Sequence, residues 1–188
     1  MAQILDLSKR FTQDQIDNAA KSSGSFRDLP DGGYICKIVE SILNDDAAAG
    51  KANIELHVDI SEGEYAGYFQ DLEDRYGFWA LKGWMSFKDS QIANFQRTCA
   101  ALCNSNPGFV FNPFVAGGAD VDSLKGKTIG VVIGKEEYKS ASGDVREKNV
   151  VSYFADVEKI RSGKFKVPAL KKLKEETPAP IDSEYIPF

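Results

Sequence analysis

The chain of 188 residues has few of the features that mark several classes of protein. Cys99 and Cys103, four residues apart, and the single histidine, His57, make no complete zinc-ligand set, and the odd count of three cysteines favours reduced thiols over a disulfide framework. No apolar run approaches the roughly 20 residues that a membrane helix needs. The first residues lack a basic stretch followed by an apolar block, which is the pattern of a secretory signal. The sequence therefore predicts a cytoplasmic protein with no role in a membrane.

The formal net charge of −5 is unevenly distributed. Residues 1–120 carry 10 basic and 17 acidic side chains, residues 121–174 carry 13 and 7, and residues 175–188 carry 0 and 4. A basic block followed by a purely acidic end is typical of a polyanion-binding surface with an interaction tail. A merely solvated surface would give the same pattern, so charge alone leaves both interpretations open.

Hydrophobic periodicity predicts mostly strands. Alternating or β-branched runs indicate strands at residues 34–43, 53–60, 128–134 and 149–157. The aromatic stretch from Tyr68 to Trp84 contains Gly77 and Gly83 and is interpreted as a bent or bulged strand or strand pair. Apolar residues at helical spacing predict one amphipathic helix over residues 90–104.

This order of elements is that of the OB-fold, a five-stranded barrel that commonly binds oligonucleotides or oligosaccharides. We therefore predict a mainly β protein, an OB-fold barrel with one α-helix between strands 3 and 4. Residues 1–28 would form an amino-terminal extension with a short helix from Thr12 to Lys21, and residues 29–162 the barrel domain. Residues 163–188 are polar and interrupted by proline, which predicts a disordered, flexible tail.

Two groups of aromatic and basic residues are candidates for contact with a nucleic acid. Single strands are held by stacking of bases on aromatic rings and by cations along the phosphates. The first group follows the aromatic stretch, and the second lies on the last hairpin, where half-buried strands and a solvated hairpin are the competing explanations. The predicted single-stranded-DNA-binding residues are Arg75, Tyr76, Phe78, Trp79, Lys82, Trp84, Lys135, Tyr138, Lys139, Arg146, Lys148 and Tyr153.

The segment Asp182–Phe188 has the composition of a short linear ligand. Two carboxylates precede an apolar Ile-Pro-Phe sequence, which a partner could bind with an apolar pocket and basic residues. It resembles the acidic, Pro-Phe-ended tip by which bacterial and phage single-stranded-DNA-binding proteins recruit other enzymes. The predicted partner-binding residues are Asp182, Glu184, Tyr185, Ile186, Pro187 and Phe188.

Several short motifs over residues 28–160 resemble a group of phage-encoded proteins of the replication module that are associated with single-stranded-DNA binding. The motifs are Leu29–Tyr34, Gly63–Gly67, the helix from Phe95 to Cys103, Leu124–Lys127 and Glu137–Tyr138. The resemblance implies a general DNA-binding role in replication, recombination or repair in the host cytoplasm. It implies no particular base-contacting residue.

We therefore expect a non-enzymatic protein without cofactors that binds and protects single-stranded DNA with little sequence preference. Several copies would line one strand, and the tip would recruit replication or recombination proteins. One alternative is a protein–protein adaptor or recombination mediator that binds DNA weakly. A more distant one is a metal-dependent nuclease that uses Asp71, Glu73 and Asp74 on a surface strand.

Overall fold

The computed structural model describes Thr12, residues 28–45 and residues 51–173. The chain divides into two units, residues 1–30 and residues 31–188, and every element given below belongs to the second. The helix expected from Thr12 to Lys21 lies, apart from Thr12, outside the described residues. The Asp182–Phe188 segment lies outside them as well.

Five strands form one antiparallel sheet. They are β1 (Gly32–Asn44), β2 (Asn53–Ile60), β3 (Lys82–Ser86), β4 (Thr128–Lys139) and β5 (Val145–Ala155), and their order across the sheet is β3-β2-β1-β4-β5. The strands β3 and β5 therefore lie at the two edges. The mainly β class and the five-stranded antiparallel sheet are confirmed.

Three α-helices occur within the described residues, where the sequence predicted one. They are α1 (Tyr68–Tyr76), α2 (Ile92–Ser105) and α3 (Val157–Arg161), and short 3-10 helices cover Asp89–Gln91 and Val121–Leu124. None of these helices is long and apolar enough to cross a membrane. The helix α2 buries Phe95, Cys99 and Leu102, which recur at helical spacing.

The helix α1 replaces the first part of the bent strand expected between Tyr68 and Trp84. Gly67 and Gly77 flank the helix with φ angles of 80° and 73°, and the Gly77 N–H donates to the Glu73 carbonyl. Glycine in this left-handed conformation is a common C-terminal helix cap, so Gly77 ends α1 and does not mark a bulge. The Asp59 carboxylate, at the end of β2, accepts from the Phe69 N–H at 2.9 Å and satisfies one amide of the first turn. The strand interpretation of residues 68–76 is therefore wrong.

The sheet curls so that its two edges approach each other through side chains. The ring of Phe154 on β5 lies directly against Gly83 on β3, and a Cβ atom placed on Gly83 would also come within 3.2 Å of Val151 Cγ1. A side chain at position 83 would therefore collide with the Phe154 ring, which would have to shift. The close approach requires glycine at this position.

The two faces of the sheet pack against different parts of the chain. The inner face carries the main core, in which Ile38, Leu56, Val58 and Val131 are fully buried. On the outer face of β1, β4 and β5 a second apolar cluster is covered by α3. This cluster comprises Ile35, Val132, Ala155, Val157 and Ile160.

Residues 164–173, here called the strap, follow α3 and pack on this outer cluster. Phe165 and Val167 contact it. Further along, the Lys171 N–H donates to the Lys135 carbonyl at 3.0 Å, and its carbonyl accepts from the Glu137 N–H at 2.9 Å. The tail expected from residue 163 thus begins with a packed segment, because the apolar side chains of Phe165 and Val167 pack against the sheet.

Candidate nucleic-acid interface

The outer face of β2 and β3 presents Trp84 and Lys82 around one carboxylate. Glu55 on β2 lies opposite Trp84, and its two oxygens accept from Lys82 Nζ at 2.9 Å and from Trp84 Nε1 at 3.2 Å. The Glu55 carboxylate also lies 2.7 Å from His57 Nε2. The indole is held by its N–H while 57% of Trp84 remains exposed, so the ring can stack on a base without reorganising first.

The electrostatics of this cluster keep Glu55 ionised. Burial of the carboxylate raises its pKa, but hydrogen bonds from Lys82, His57 and Trp84 outweigh burial and lower the pKa to about 2. Glu55 therefore holds a full negative charge at neutral pH. This charge neutralises part of the Lys82 charge, so the exposed indole of Trp84 is the larger accessible group of this face.

Trp79 has a packing role. It is only 7% exposed, and its ring stacks on that of His57 with centroids 6.0 Å apart and an interplanar angle of 6°. The sequence did not show which of Trp79 and Trp84 is buried, because the chain between α1 and β3 is not part of a strand. Contact between Trp79 and DNA stays a prediction. The buried position of the ring does not support it.

Three further candidates lie at the end of α1. Arg75 is in its last turn, and Tyr76 and Phe78 are about 60% exposed with ring centroids 6.3 Å apart. The sequence placed all three on a strand with Lys82 and Trp84. The structure instead places them on a different element from β3, so that their rings do not continue the alternation of that strand.

The hairpin of β4 and β5 divides its candidates between two faces. Tyr138 lies opposite Arg146 and Glu136 opposite Lys148, which puts Tyr138, Arg146 and Lys148 on one face of the hairpin. Lys148 Nζ lies 5.9 Å from the centre of the Tyr138 ring. Lys135 and Lys139 point to the other face.

The hairpin is not a basic surface as a whole. Its four cations at positions 135–148 are matched by four acidic residues within the same span. Lys135 Nζ lies 3.8 Å from a Glu147 oxygen, and Arg146 lies 3.8 Å from an Asp144 oxygen. The excess of positive charge in this half of the chain lies beyond the hairpin, because residues 157–173 carry six basic side chains and one acidic one.

A groove of about 620 Å³ brings two of the predicted residues together with cations that the sequence did not single out. We call it the seam groove, because its walls come from both edge strands, from α2 and from the start of the strap. Trp84 of β3 and Tyr153 of β5 both line it. The cations at its walls are Arg97, Lys159 and Lys164, and the amide side chains are Gln91, Asn94 and Asn104.

These cations were not predicted from the sequence because they come from separate elements. Arg97 lies on the exposed side of α2, Lys159 on α3, and Lys164 at the start of the strap. The only sequence signal is the high proportion of lysine and arginine after residue 156, which a local motif search does not connect with a helix 60 residues earlier. Two of the cations have partners, since Lys159 Nζ pairs with Asp156 at 2.9 Å and Arg97 donates to Asn94.

Tyr153 joins the groove to the strap. Its hydroxyl accepts from the Lys166 N–H at 3.1 Å and donates to the Lys166 carbonyl at 3.0 Å. The hydroxyl therefore both donates and accepts inside the protein, while 38% of Tyr153 remains exposed. The residue predicted to bind DNA also holds part of the chain beside the groove.

The acids of the nuclease alternative lie on α1, not on a strand. Gln70 Nε2 lies 3.2 Å from a Glu73 oxygen and 3.1 Å from an Asp74 oxygen, so two of the three carboxylates accept hydrogen bonds from one amide side chain. In residues 28–45 and 51–173, no three His, Cys, Asp or Glu side chains come together as a metal-binding group. No protein-family model and no curated protein matches the chain.

Proposed function

We propose that the protein binds single-stranded DNA with little sequence preference and without catalysing a reaction. The observation that carries this proposal is the seam groove, where the exposed indole of Trp84 lies on the same surface as Arg97, Lys159 and Lys164. Rings and cations along one groove fit a flexible strand whose bases stack and whose phosphates face solvent. The groove offers amide groups but no rigid pattern that would select one base.

We also propose that the sheet closes into an OB-fold barrel at this seam. The order β3-β2-β1-β4-β5 becomes a ring if β3 meets β5, and the contact of Phe154 with Gly83 brings those two edges together. In an OB-fold the face of strands 2 and 3 binds oligonucleotides. Trp84 and Lys82 lie on that face here.

The binding energy would come from stacking and from counterion release. Stacking of a base on an aromatic ring contributes about 1–3 kcal/mol. Each phosphate neutralised by a lysine or arginine releases counterions, which makes affinity fall with salt. Because the whole chain carries a charge of −5, this release must be local to the groove.

Titration with oligothymidylate tests the proposal. Trp84 is exposed and Trp79 is buried, so binding should quench the Trp84 emission, and the midpoint should rise steeply with salt. Trp84→Ala should weaken binding about tenfold, as measured by anisotropy of a labelled oligonucleotide, whereas Trp79→Phe should bind as the wild type does. Absence of binding at low salt would refute the proposal, and cleavage of the strand on addition of magnesium would favour the nuclease.

An exposed apolar pocket favours the adaptor as a second candidate. Phe87, Ile92 and Phe114 are each 41–53% exposed and line a pocket with Phe95 in its wall. Exposed apolar patches of this kind often mark protein-binding surfaces. If Phe114→Ser reduced the function in phage replication without changing oligothymidylate affinity, the adaptor would be favoured.

The Asp182–Phe188 segment completes the proposed function as a recruitment tip. Its carboxylates and apolar side chains match a partner surface with an apolar pocket and basic residues. We propose replication or recombination proteins as the partners, in the cytoplasm of the host of a phage. Several copies of the protein bound along one strand would present several tips.

A further inference from the structure

The strap is fastened to the sheet beside the seam groove at separate points. The Phe165 ring lies over Gly33 on β1, the Tyr153 hydroxyl binds both backbone groups of Lys166, and Lys171 binds β4 through its backbone. The Leu173 N–H donates to a Glu137 carboxylate oxygen at 3.0 Å. These contacts place the strap's first residues, Lys164 and Phe165, at the wall of the groove.

The strap and α3 are also the most basic part of the described chain. They contain six basic side chains against one acidic side chain between residues 157 and 173. Two of these six, Lys159 and Lys164, line the groove. A segment that is basic and lies at the groove is suited to contact the phosphates of a bound strand.

We propose that the seating of the strap sets the affinity of the seam groove for single-stranded DNA, an inference that rests on the proposed function. When Phe165 occupies its seat on Gly33, Lys164 is held where it can contact a phosphate and Phe165 forms part of the wall. Release of the ring takes Phe165 out of the wall and loosens Lys164, whose N–H still donates to the Lys159 carbonyl at 2.9 Å. Because the coupling is reciprocal, a bound strand holds the strap on the sheet.

Gly33 allows the strap to be released without altering a groove residue. A Cβ atom at position 33 would lie 2.6–2.9 Å from three carbons of the Phe165 ring, so Gly33→Ala must displace the ring. The neighbouring Gly32 is the matched control, because its Cβ would meet only the Tyr34 ring at 3.6 Å or more, an ordinary contact. Gly33→Ala should weaken oligothymidylate binding about fivefold to tenfold, and Gly32→Ala should leave it unchanged.

Hydrogen exchange of the strap gives a readout that does not depend on DNA. In Gly33→Ala the amides of Lys166 and Lys171 should exchange faster than in the wild type, because each donates a hydrogen bond that seats the strap. In the wild type, saturating oligothymidylate should slow the exchange of the same amides at least threefold. Phe165→Ala, which removes the ring itself, should reproduce the loss of affinity if Gly33→Ala does not fold.

The outcomes separate this inference from the function on which it rests. If the wild type does not bind oligothymidylate, the proposed function fails, whatever the strap does. If the wild type binds but neither Gly33→Ala nor Phe165→Ala changes the affinity, the strap does not set it and the inference is refuted. Unchanged exchange of the strap amides in saturating oligothymidylate would refute it as well.

Discussion

Glu55 is an acidic side chain in the middle of a surface that we propose binds a polyanion. Its carboxylate orders the indole of Trp84 and the ammonium of Lys82, and the cost is a negative charge close to the path of the strand. We expect the orientation of these two side chains to outweigh the repulsion. Glutamine at this position would lose the charge and keep one acceptor oxygen in place of two, so either Lys82 or Trp84 would lose its hydrogen bond.

Glu55→Gln should lower the free energy of unfolding by about 1–2 kcal/mol at pH 7, because charge-assisted hydrogen bonds are lost. The folded-state pKa of about 2 lies below the usual 4.5, so the contribution is fully present above pH 4.5 and is lost as the pH falls towards 2. Urea denaturation of both proteins at pH 7, 4 and 2.5 measures this difference. Glu62→Gln, which breaks the exposed pair with Arg161, is the control and should cost less than 1 kcal/mol.

A difference that persists unchanged at pH 2.5 would contradict the role assigned to the Glu55 charge. Glu55→Gln also tests the effect of this charge on DNA binding at neutral pH. If the variant binds oligothymidylate more tightly while the strand still quenches the Trp84 emission, repulsion by the Glu55 charge is the larger effect. If the variant binds more weakly, the orientation of Trp84 and Lys82 is the larger effect.

At the scale of elements, the contact of Phe154 with Gly83 decides how close the edge strands come. Gly83→Ala should destabilise the protein by about 1–3 kcal/mol, because the added methyl group overpacks the contact. Combining it with Phe154→Leu, which shortens the opposing side chain, should recover part of that loss. Thermal unfolding of the two single variants and the double variant gives the coupling energy.

Additive effects of the two substitutions would show that the strands do not meet at these residues. A positive coupling would support closure of the barrel at the seam. The same substitutions should also affect binding in the seam groove, since its walls include β3 and β5. Oligothymidylate affinity of the double variant should therefore be closer to that of the wild type than the affinity of Gly83→Ala is.

Four of the five strands were predictable, although β4 and β5 form a longer hairpin than predicted, whereas the bounds of β3, the helix α1 and the groove were not. Strand β2 has the bounds that strict alternation predicts, since one face of it is core and the other is not. Residues 68–76 were misinterpreted because aromatic side chains suggest a strand, although glycines at both ends and Asp59 from another element define a helix. The seam groove could not be derived, because Arg97 and Lys164 meet only through tertiary packing.

At the scale of the whole molecule, the net charge of −5 conceals a local basic region at α3 and the strap. For a single strand, the slope of log affinity against log salt is about −0.7 per phosphate neutralised. Arg97→Gln and Lys164→Gln should each flatten the slope by about 0.7, as measured by anisotropy between low and moderate salt. Lys125→Gln, at a cation paired with Asp122 outside the groove, should leave the slope unchanged.

Deletion of Tyr185–Phe188 should separate binding of DNA from recruitment. The deletion removes apolar side chains and no basic one, so affinity for oligothymidylate should stay equal or rise. Capture of replication or recombination proteins by DNA coated with the protein should be lost. A large loss of DNA affinity on deletion would contradict a pure recruitment role for this segment.

The bond between Lys171 and β4 bears on how the protein avoids aggregation. The strand β1 pairs with β4 only as far as Ile133, so on that side the backbone of Lys135 and Glu137 would be an unpaired strand edge. The backbone of Lys171 forms hydrogen bonds with both the Lys135 carbonyl and the Glu137 N–H. An exposed edge invites pairing with the same edge of another copy. A chain ending at Gly163 should therefore self-associate, which light scattering would detect. The lysine-rich strap thus also covers this strand edge.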